Sequence, residues 1–390
     1  MRRAVIIDVV RSPFGKGREG GLLASVHPVN LYAQVLAELI RRTEIDPRLI
    51  EDVISGCVIQ VAEQSGNIGR QAALAAGLPE TTAAVTLDRK CGSTQQAMDF
   101  AAQGVISGAY DAVIAGGVEM MSIVPMRMNR MGKDNEGSLF RARYPEGMIR
   151  QGISAERIAA RWNLSREELD EFSLRSHERA DLDVKRINDM VAIDGSTRLV
   201  LEDESLRANA TIEKLASLAP AFVDELASKR FPEISWSVTA GSSSPVSDGA
   251  SAMLIMEEQL AVSLNLKPRA TISHFAVVGD DPIMMLTAVI PATQKLLKRA
   301  GLSISDIDAY EVNEAFASVP LAWQKELHTD PEKLNVYGGA IALGHPVGAS
   351  GGRLVANLLR VLDDSGGRYG LVTMCESGGM ANATLIERLY

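Results

Sequence analysis

Val85-Thr86-Leu87-Asp88-Arg89-Lys90-Cys91-Gly92-Ser93-Thr94-Gln95-Gln96-Ala97-Met98 decides how this chain is read. The apolar run from Ala83 to Leu87 predicts a buried strand. Gly92 and Ser93 offer a turn and a helix start, and residues 95–106 carry apolar positions at helical spacing. Cys91 therefore falls between a strand end and a helix N-terminus. Free N–H groups at such a terminus favour a thiolate, the reactive form of cysteine. Arg89 and Lys90 add positive charge. A lone cysteine beside apolar residues is equally a core residue, so the rest of the chain has to decide between the two.

Outward from Cys91, strands and helices alternate. Residues 4–10, 53–58 and 112–115 predict strands, and residues 30–42 and 68–76 predict helices. That alternation implies a parallel or mixed sheet covered by helices on both faces. From about residue 118 to 245 the pattern changes. Met120, Met121, Met126, Met128, Met131 and Met148 crowd together, charges increase and strand signals fade. Residues 154–162 and 165–183 predict helices, and Ser165 with Glu168 has capping-box spacing. The methionines are read as core filler. From about residue 250 the alternation returns. Residues 252–256, 270–277, 309–312, 334–337 and 371–374 predict strands; residues 287–300, 314–327 and 350–362 predict helices.

The two α/β portions resemble each other. Leu39-Ile40-Arg41-Arg42 followed by Ile50-Glu51-Asp52-Val53 matches Leu296-Leu297-Lys298-Arg299 followed by Ile307-Asp308-Ala309-Tyr310 at constant spacing. This predicts a duplicated unit with a helical segment inserted after the first copy. The expected division is residues 1–118 with 246–262, an insertion of 119–245, and residues 263–390. Loops at strand ends of both copies would then meet in one site, where α/β sheets bind ligands.

Three segments of the second half could supply that site. Asn313 lies in Glu311-Val312-Asn313-Glu314-Ala315-Phe316. His345 lies in the run from Tyr337 to Gly351, which is rich in glycine. Cys375 lies in Met374-Cys375-Glu376-Ser377-Gly378-Gly379. Glycines allow close backbone approach and leave N–H groups free for an oxyanion. Each residue alone has an ordinary alternative, such as helix capping for His345 and Asn313. Four of them at four strand ends form a Cys–His–Cys site with an asparagine.

At 390 residues there is sequence for a large core. A net charge of −9 argues against nucleic acid or an acidic membrane as the main partner. Three scattered cysteines, Cys57, Cys91 and Cys375, make neither a disulfide framework nor a metal pattern. No apolar run is long enough to span a bilayer, no signal peptide is read, and a cytoplasmic location is expected.

The motifs resemble those of the thiolase family along essentially the whole chain. They run from Arg11-Ser12-Pro13-Phe14-Gly15-Lys16 through Cys91-Gly92-Ser93 and Ala240-Gly241-Ser242-Ser243-Ser244. They continue with Ser247-Asp248-Gly249-Ala250, Asn313-Glu314-Ala315-Phe316, the glycine–histidine motif, and Cys375 with Gly378-Gly379. The resemblance implies a thiolase fold, with two duplicated α/β halves layered as α-β-α-β-α and a mostly helical loop domain inserted. It implies thiolytic cleavage of a 3-ketoacyl-CoA to acetyl-CoA or propionyl-CoA and a shortened acyl-CoA. Cys91 would be the nucleophile, His345 the base and an oxyanion donor, and Cys375 the acid/base. Asn313 would hold a water in one oxyanion hole, and the N–H groups of Cys91 and Ser377 would form the other. Ser244, Arg207 and Phe316 would lie against coenzyme A, which is a substrate rather than a resident cofactor. A homodimer or homotetramer is implied, and a hydratase–dehydrogenase partner occurs with some degradative members.

Position 377 is Ser where the family has Gly. If φ there must be positive, the serine would cost about 1 kcal/mol or more. Arg150-Gln151 stands where short-chain members carry a His-Met pair, and Thr94-Gln95-Gln96 replaces their Gly-Leu. Both features resemble degradative thiolases, some of which act on bulky groups such as steroid side chains. The alternatives are a biosynthetic acetoacetyl-CoA thiolase, a β-ketoacyl synthase, which would lack the second cysteine, or a non-catalytic thiolase-like lipid-binding protein.

Overall fold

Twelve strands carry the architecture in the computed structural model, which describes residues 2–183, 188–195 and 198–389. They are β1 (Ala4–Arg11), β2 (Gly15–Lys16), β3 (Asp52–Gly56), β4 (Ala83–Leu87), β5 (Ala112–Met120) and β6 (Ile193–Asp194). The remainder are β7 (Leu199–Val200), β8 (Ser247–Glu257), β9 (Ala270–Gly279), β10 (Ala309–Val312), β11 (Tyr369–Glu376) and β12 (Met380–Arg388). The main sheet runs β10-β11-β12-β9-β1-β8-β5-β3-β4, with β2 beside β8. It is mixed: β4, β3 and β5 run parallel, as do β10 and β11, and the other pairs are antiparallel.

The helices of the first copy are α1 (Pro28–Thr43), α2 (Ile68–Ala75) and α3 (Ser93–Ser107). The inserted segment holds α4 (Gly137–Arg143), α5 (Gln151–Arg161), α6 (Arg166–Asp183), α7 (Ile212–Ala216) and α8 (Glu225–Arg230). Then follow α9 (Glu258–Ser263), α10 (Val289–Ala300), α11 (Ser318–Leu327), α12 (Ala340–Leu343) and α13 (Ser350–Ser365). Helices α3 and α13 are sandwiched inside. Met98, Val105, Leu354 and Leu358 share one apolar cluster with Val113 and Ile255 of the first copy and Val372 and Ile386 of the second. Leu31 and Ile68 of α1 and α2 cover the outer face of the first copy. Val289 and Trp323 of α10 and α11 cover that of the second. The result is five layers in the order α-β-α-β-α. Burying apolar side chains on both faces of each sheet half explains why its strands read as continuous apolar runs.

The duplication is visible in the elements. A helix, a one-turn 3-10 helix and a strand recur in order as α1, Pro47–Leu49 and β3, and again as α10, Ile304–Asp306 and β10. Met120 at the end of β5 pairs with Asp248 at the start of β8. The intervening segment thus leaves and re-enters the sheet at one place. The capping box at α6 forms: Ser165 N donates to Glu168 Oε2 at 2.7 Å, and Glu168 N donates to Ser165 Oγ at 3.1 Å.

Several expectations are corrected. The run before Cys91 is a strand, but β4 is an edge strand paired only with β3, and Val85 is 45% exposed. Residues 334–337 form no strand beyond a single parallel bridge from Leu334 to Tyr310 of β10. The Asn335 side chain instead bonds both N and O of Val312, each at 2.9 Å, and replaces a neighbouring strand. The helix expected from 314 begins at Ser318, because Ala315 O accepts from Ser244 N and Ala317 N donates to Ser242 O. Only Met120 and Met121 of the methionine group are core residues; Met126, Met128 and Met131 are exposed. No helix among the described residues is long and apolar enough to cross a membrane.

Candidate active site

The loops after β4 and β11 and the turn between α12 and α13 bring Cys91, Ser377 and His345 to one cavity of about 160 Å³. Ser244, Phe316, Gln151, Met121 and Val347 are also among its lining residues. Asn313 and Cys375 stand directly behind this lining: Asn313 borders His345, and Cys375 is buried within reach of the Cys91 charge.

Cys91 precedes Gly92, the N-cap of α3. Lys90 takes a left-handed turn at φ 49, and its ammonium is held by Asp88 at 2.6 Å. The helix-terminus argument for a resting thiolate fails here. Burial, then the Glu376 charge, push the Cys91 thiol up to about 12. Burial, followed by Cys91, likewise raises Cys375 well above an ordinary thiol. Both cysteines are thiols at rest.

His345 follows Gly344, which lies at φ 106, a conformation open to glycine. Its backbone N donates to Ser247 Oγ at 3.0 Å. Nδ1 lies 2.6 Å from Ser350 Oγ, and that hydroxyl donates its proton to Pro346 O at 2.8 Å. Ser350 can therefore only accept from the ring, so Nδ1 carries the proton and Nε2 is the free base. Nε2 lies 3.4 Å from Asn313 Nδ2. Burial, then Arg353, lower the His345 pKa to about 3, so the ring is neutral. Asn313 Oδ1 is buried without a protein partner, an acceptor suited to holding a water.

Ser377 does not take positive φ. The left-handed turns fall on Gly378 and Gly379, at φ 92 and 78, so serine carries no backbone strain. Its Oγ accepts from Gln151 Nε2 at 2.6 Å. Neither the Cys91 nor the Ser377 backbone N–H donates to a backbone carbonyl in the loops among the described residues, and the Cys91 N–H is turned toward its own Sγ. Ser244 is tied to Ala315 O through both its N and its Oγ, at 3.0 and 3.1 Å. Phe316 is buried edge-on to Phe222. Arg207 stands apart from the cysteines. It lines a cavity of about 360 Å³ with Lys16, Arg18, Pro245 and Val246, and a further one of about 540 Å³ with Lys214. The first shares Pro245 and Val246 with the Cys91 cavity and Arg207 with the second, so the three adjoin along one trough.

Sequence reading missed three supporting residues. Ser350 fixes the histidine tautomer. Glu314 accepts from Ser176, Asn335 and Ile341 N, and holds the glycine–histidine motif where a Cβ on Gly339 would meet it at 2.2 Å. Glu376 is buried beside Gly92 with both oxygens unpartnered. Ser350 was legible as a serine five residues past His345; the other two required the fold.

A buried thiol and a neutral imidazole with a fixed basic nitrogen, lining one cavity, are the parts that cysteine-based covalent catalysis uses. Comparison with known proteins narrows that class. Residues 4–259 match the family described as Thiolase, N-terminal domain, and residues 266–388 match Thiolase, C-terminal domain. The steroid 3-ketoacyl-CoA thiolase FadA6 of Mycobacterium tuberculosis is 44% identical, covering 100% of this chain and 95% of that protein. A 3-ketoacyl-CoA thiolase of Shewanella denitrificans is 42% identical over the whole of both chains. The crystal structure of the Bacillus anthracis acetyl-CoA acetyltransferase superposes with a TM-score of 0.88 at 37% identity, covering 100% of this chain and 99% of that one. The chain belongs to the thiolase family.

Proposed function

We propose that the protein is a degradative 3-ketoacyl-CoA thiolase, cleaving its substrate with coenzyme A through an acyl-thioester on Cys91. The observation that carries this reading is the convergence of Cys91, Cys375 and the Nε2 face of His345 at one end of the trough. Cys91 Sγ attacks the C3 carbonyl while its proton passes to His345 Nε2. The C2–C3 bond breaks, and its electron pair passes to C2 and the thioester oxygen. Cys375 protonates C2, acetyl-CoA leaves, and the shortened acyl group stays on Cys91. Coenzyme A then enters, and the Cys375 thiolate takes its thiol proton. The new sulfur attacks the thioester, and Cys91 leaves and recovers its proton from His345.

The resting protonation states fit this order. With Cys91 near 12 and His345 near 3, no ion pair exists before the carbonyl arrives. Once protonated, Nε2 becomes a donor to the developing enolate, together with a water on Asn313. The N–H groups of Cys91 and Ser377 serve the oxyanion at C3. Each such donor contributes roughly 3–4 kcal/mol. Lys16, Arg18, Arg207 and Lys214 along the trough supply cations for the phosphates of coenzyme A. The absence of the His-Met pair at Arg150-Gln151 supports a degradative enzyme over an acetoacetyl-CoA synthase. A homo-oligomer belongs to the same reading: β4 leaves an apolar, unpaired edge for a second copy. The test is turnover of a 3-ketoacyl-CoA series by wild type and Cys91→Ala, with acetyl-CoA release as the readout.

A further inference from the structure

The hydrogen bond between Gln151 and Ser377 joins the inserted segment to the turn after β11 at the active site. Gln151 opens helix α5 of the inserted segment, and Ser377 lies two residues past Cys375, after β11. Both residues line the Cys91 cavity. Gln151 Nε2 donates to Ser377 Oγ at 2.6 Å, which uses one donor of the amide and one acceptor of the hydroxyl. The Gln151 carbonyl Oε1 and the Ser377 hydroxyl proton have no protein partner among the described residues, and neither residue has a polar atom sealed away without one. Both groups are thus left open to the cavity, whose walls also include the apolar Val58, Met121 and Met126 and the polar Lys90, Ser244 and His345.

We propose that the Gln151–Ser377 pair sets acyl specificity, by selecting 3-ketoacyl groups that carry a hydrogen-bonding oxygen along the chain over plain alkyl groups of equal length. This rests on the thiolase reading above and names its substrate class. The physical reason is asymmetric. A hydroxyl or oxo group on the acyl chain satisfies Oε1 or the Ser377 proton. A methylene at the same place strips water from both and returns nothing. Sites built around such groups discriminate strongly against analogues that lack the partner. The pair acts on substrate contact and on the position of the Cys375 turn, and the chemistry remains that of the cysteines and His345.

The test compares kcat/KM for 3-ketooctanoyl-CoA with isomers hydroxylated at each of carbons five to eight. At least one isomer should exceed the parent by roughly tenfold. Gln151→Leu and Ser377→Ala should each bring that ratio close to unity, and the double variant should do no more than either single change. A merely structural bond would lower both substrates together and leave the ratio intact. No preferred isomer in wild type, or a preference surviving in both single variants, would overturn the proposal while the thiolase reading stands. No thioester on Cys91 with any substrate, acetoacetyl-CoA included, would remove the thiolase reading and this proposal with it.

Discussion

His345 Nδ1 and Ser350 Oγ lie 2.6 Å apart, and the serine proton is already committed to Pro346 O. The relationship fixes the ring so that Nε2 is the unprotonated nitrogen. Ser350→Ala leaves Nδ1 without its acceptor and frees the tautomer. The loss in kcat is expected to be roughly 10- to 100-fold, at the lower end of general-base contributions. Steady-state thiolysis checks it, and unchanged kcat would show that the serine does not orient the base.

Activity is expected to fall on the alkaline side as Glu376 ionises. Burial raises its carboxyl to about 8; Arg89 opposes the shift, and Asp99 and Asp88 add to it. Below pH 8 it is neutral. Above pH 8 its charge is present beside Cys91 and Cys375, where it favours their thiol forms and would oppose an enolate. Glu376→Gln is permanently neutral, so the alkaline limb of kcat/KM should move to higher pH. An identical limb in the variant would refute the assignment.

Stability follows the same sign. Glu119, Glu311 and Glu376 are raised, chiefly by burial, to about 7, 8 and 8 from 4.5. The native state holds protons that the unfolded chain has already released. Stability is therefore present at low pH and lost as pH rises through the folded values. His177 and His345, lowered to about 4 and 3 from 6.5, act in the opposite direction, but only below 6.5. The melting temperature should fall between pH 6.5 and 8.5, and less steeply in Glu376→Gln.

Arg207 stands where two cavities of the trough meet, well along from Cys91. Arg207→Ala should raise KM for coenzyme A several-fold and leave kcat nearly constant, the signature of lost uniform binding. A fall in kcat alone would place Arg207 elsewhere in the cycle.

Gly348 packs where the glycine–histidine loop crosses β5. A Cβ there would meet Glu119 Oε2 at 2.6 Å, Val118 O at 2.8 Å and Cys57 Cα at 3.0 Å. Two of these are backbone atoms that cannot swing aside. Gly348→Ala should destabilise by about 1–3 kcal/mol, read by chemical denaturation.

The layered fold and the duplicated order were legible because buried strands read as apolar runs and the helices between them keep their period. Cys91, Asn313 and Cys375 drew notice because each lies at or just past a strand end, and His345 because of the glycines around it, although it lies between α12 and α13 rather than at a strand end. What escaped was set by tertiary contact. Strand β12 was hidden because Asn382 and Thr384 face inward, bonding Gly92 O and Asp99. Val85 looked like core, yet it lies on an edge that a single chain leaves open. A helix terminus suggested a thiolate at Cys91, and complete burial beside Glu376 reverses it. Position 377 suggested strain, but the left-handed turn begins one residue later, at Gly378.

Intact-mass analysis after brief exposure to 3-ketoacyl-CoA substrates without free coenzyme A tests the nucleophile most directly. A mass gain corresponding to the acyl group less C1 and C2 is expected, present in wild type and absent in Cys91→Ala. No adduct at any chain length, or an adduct that survives in Cys91→Ala, would contradict it.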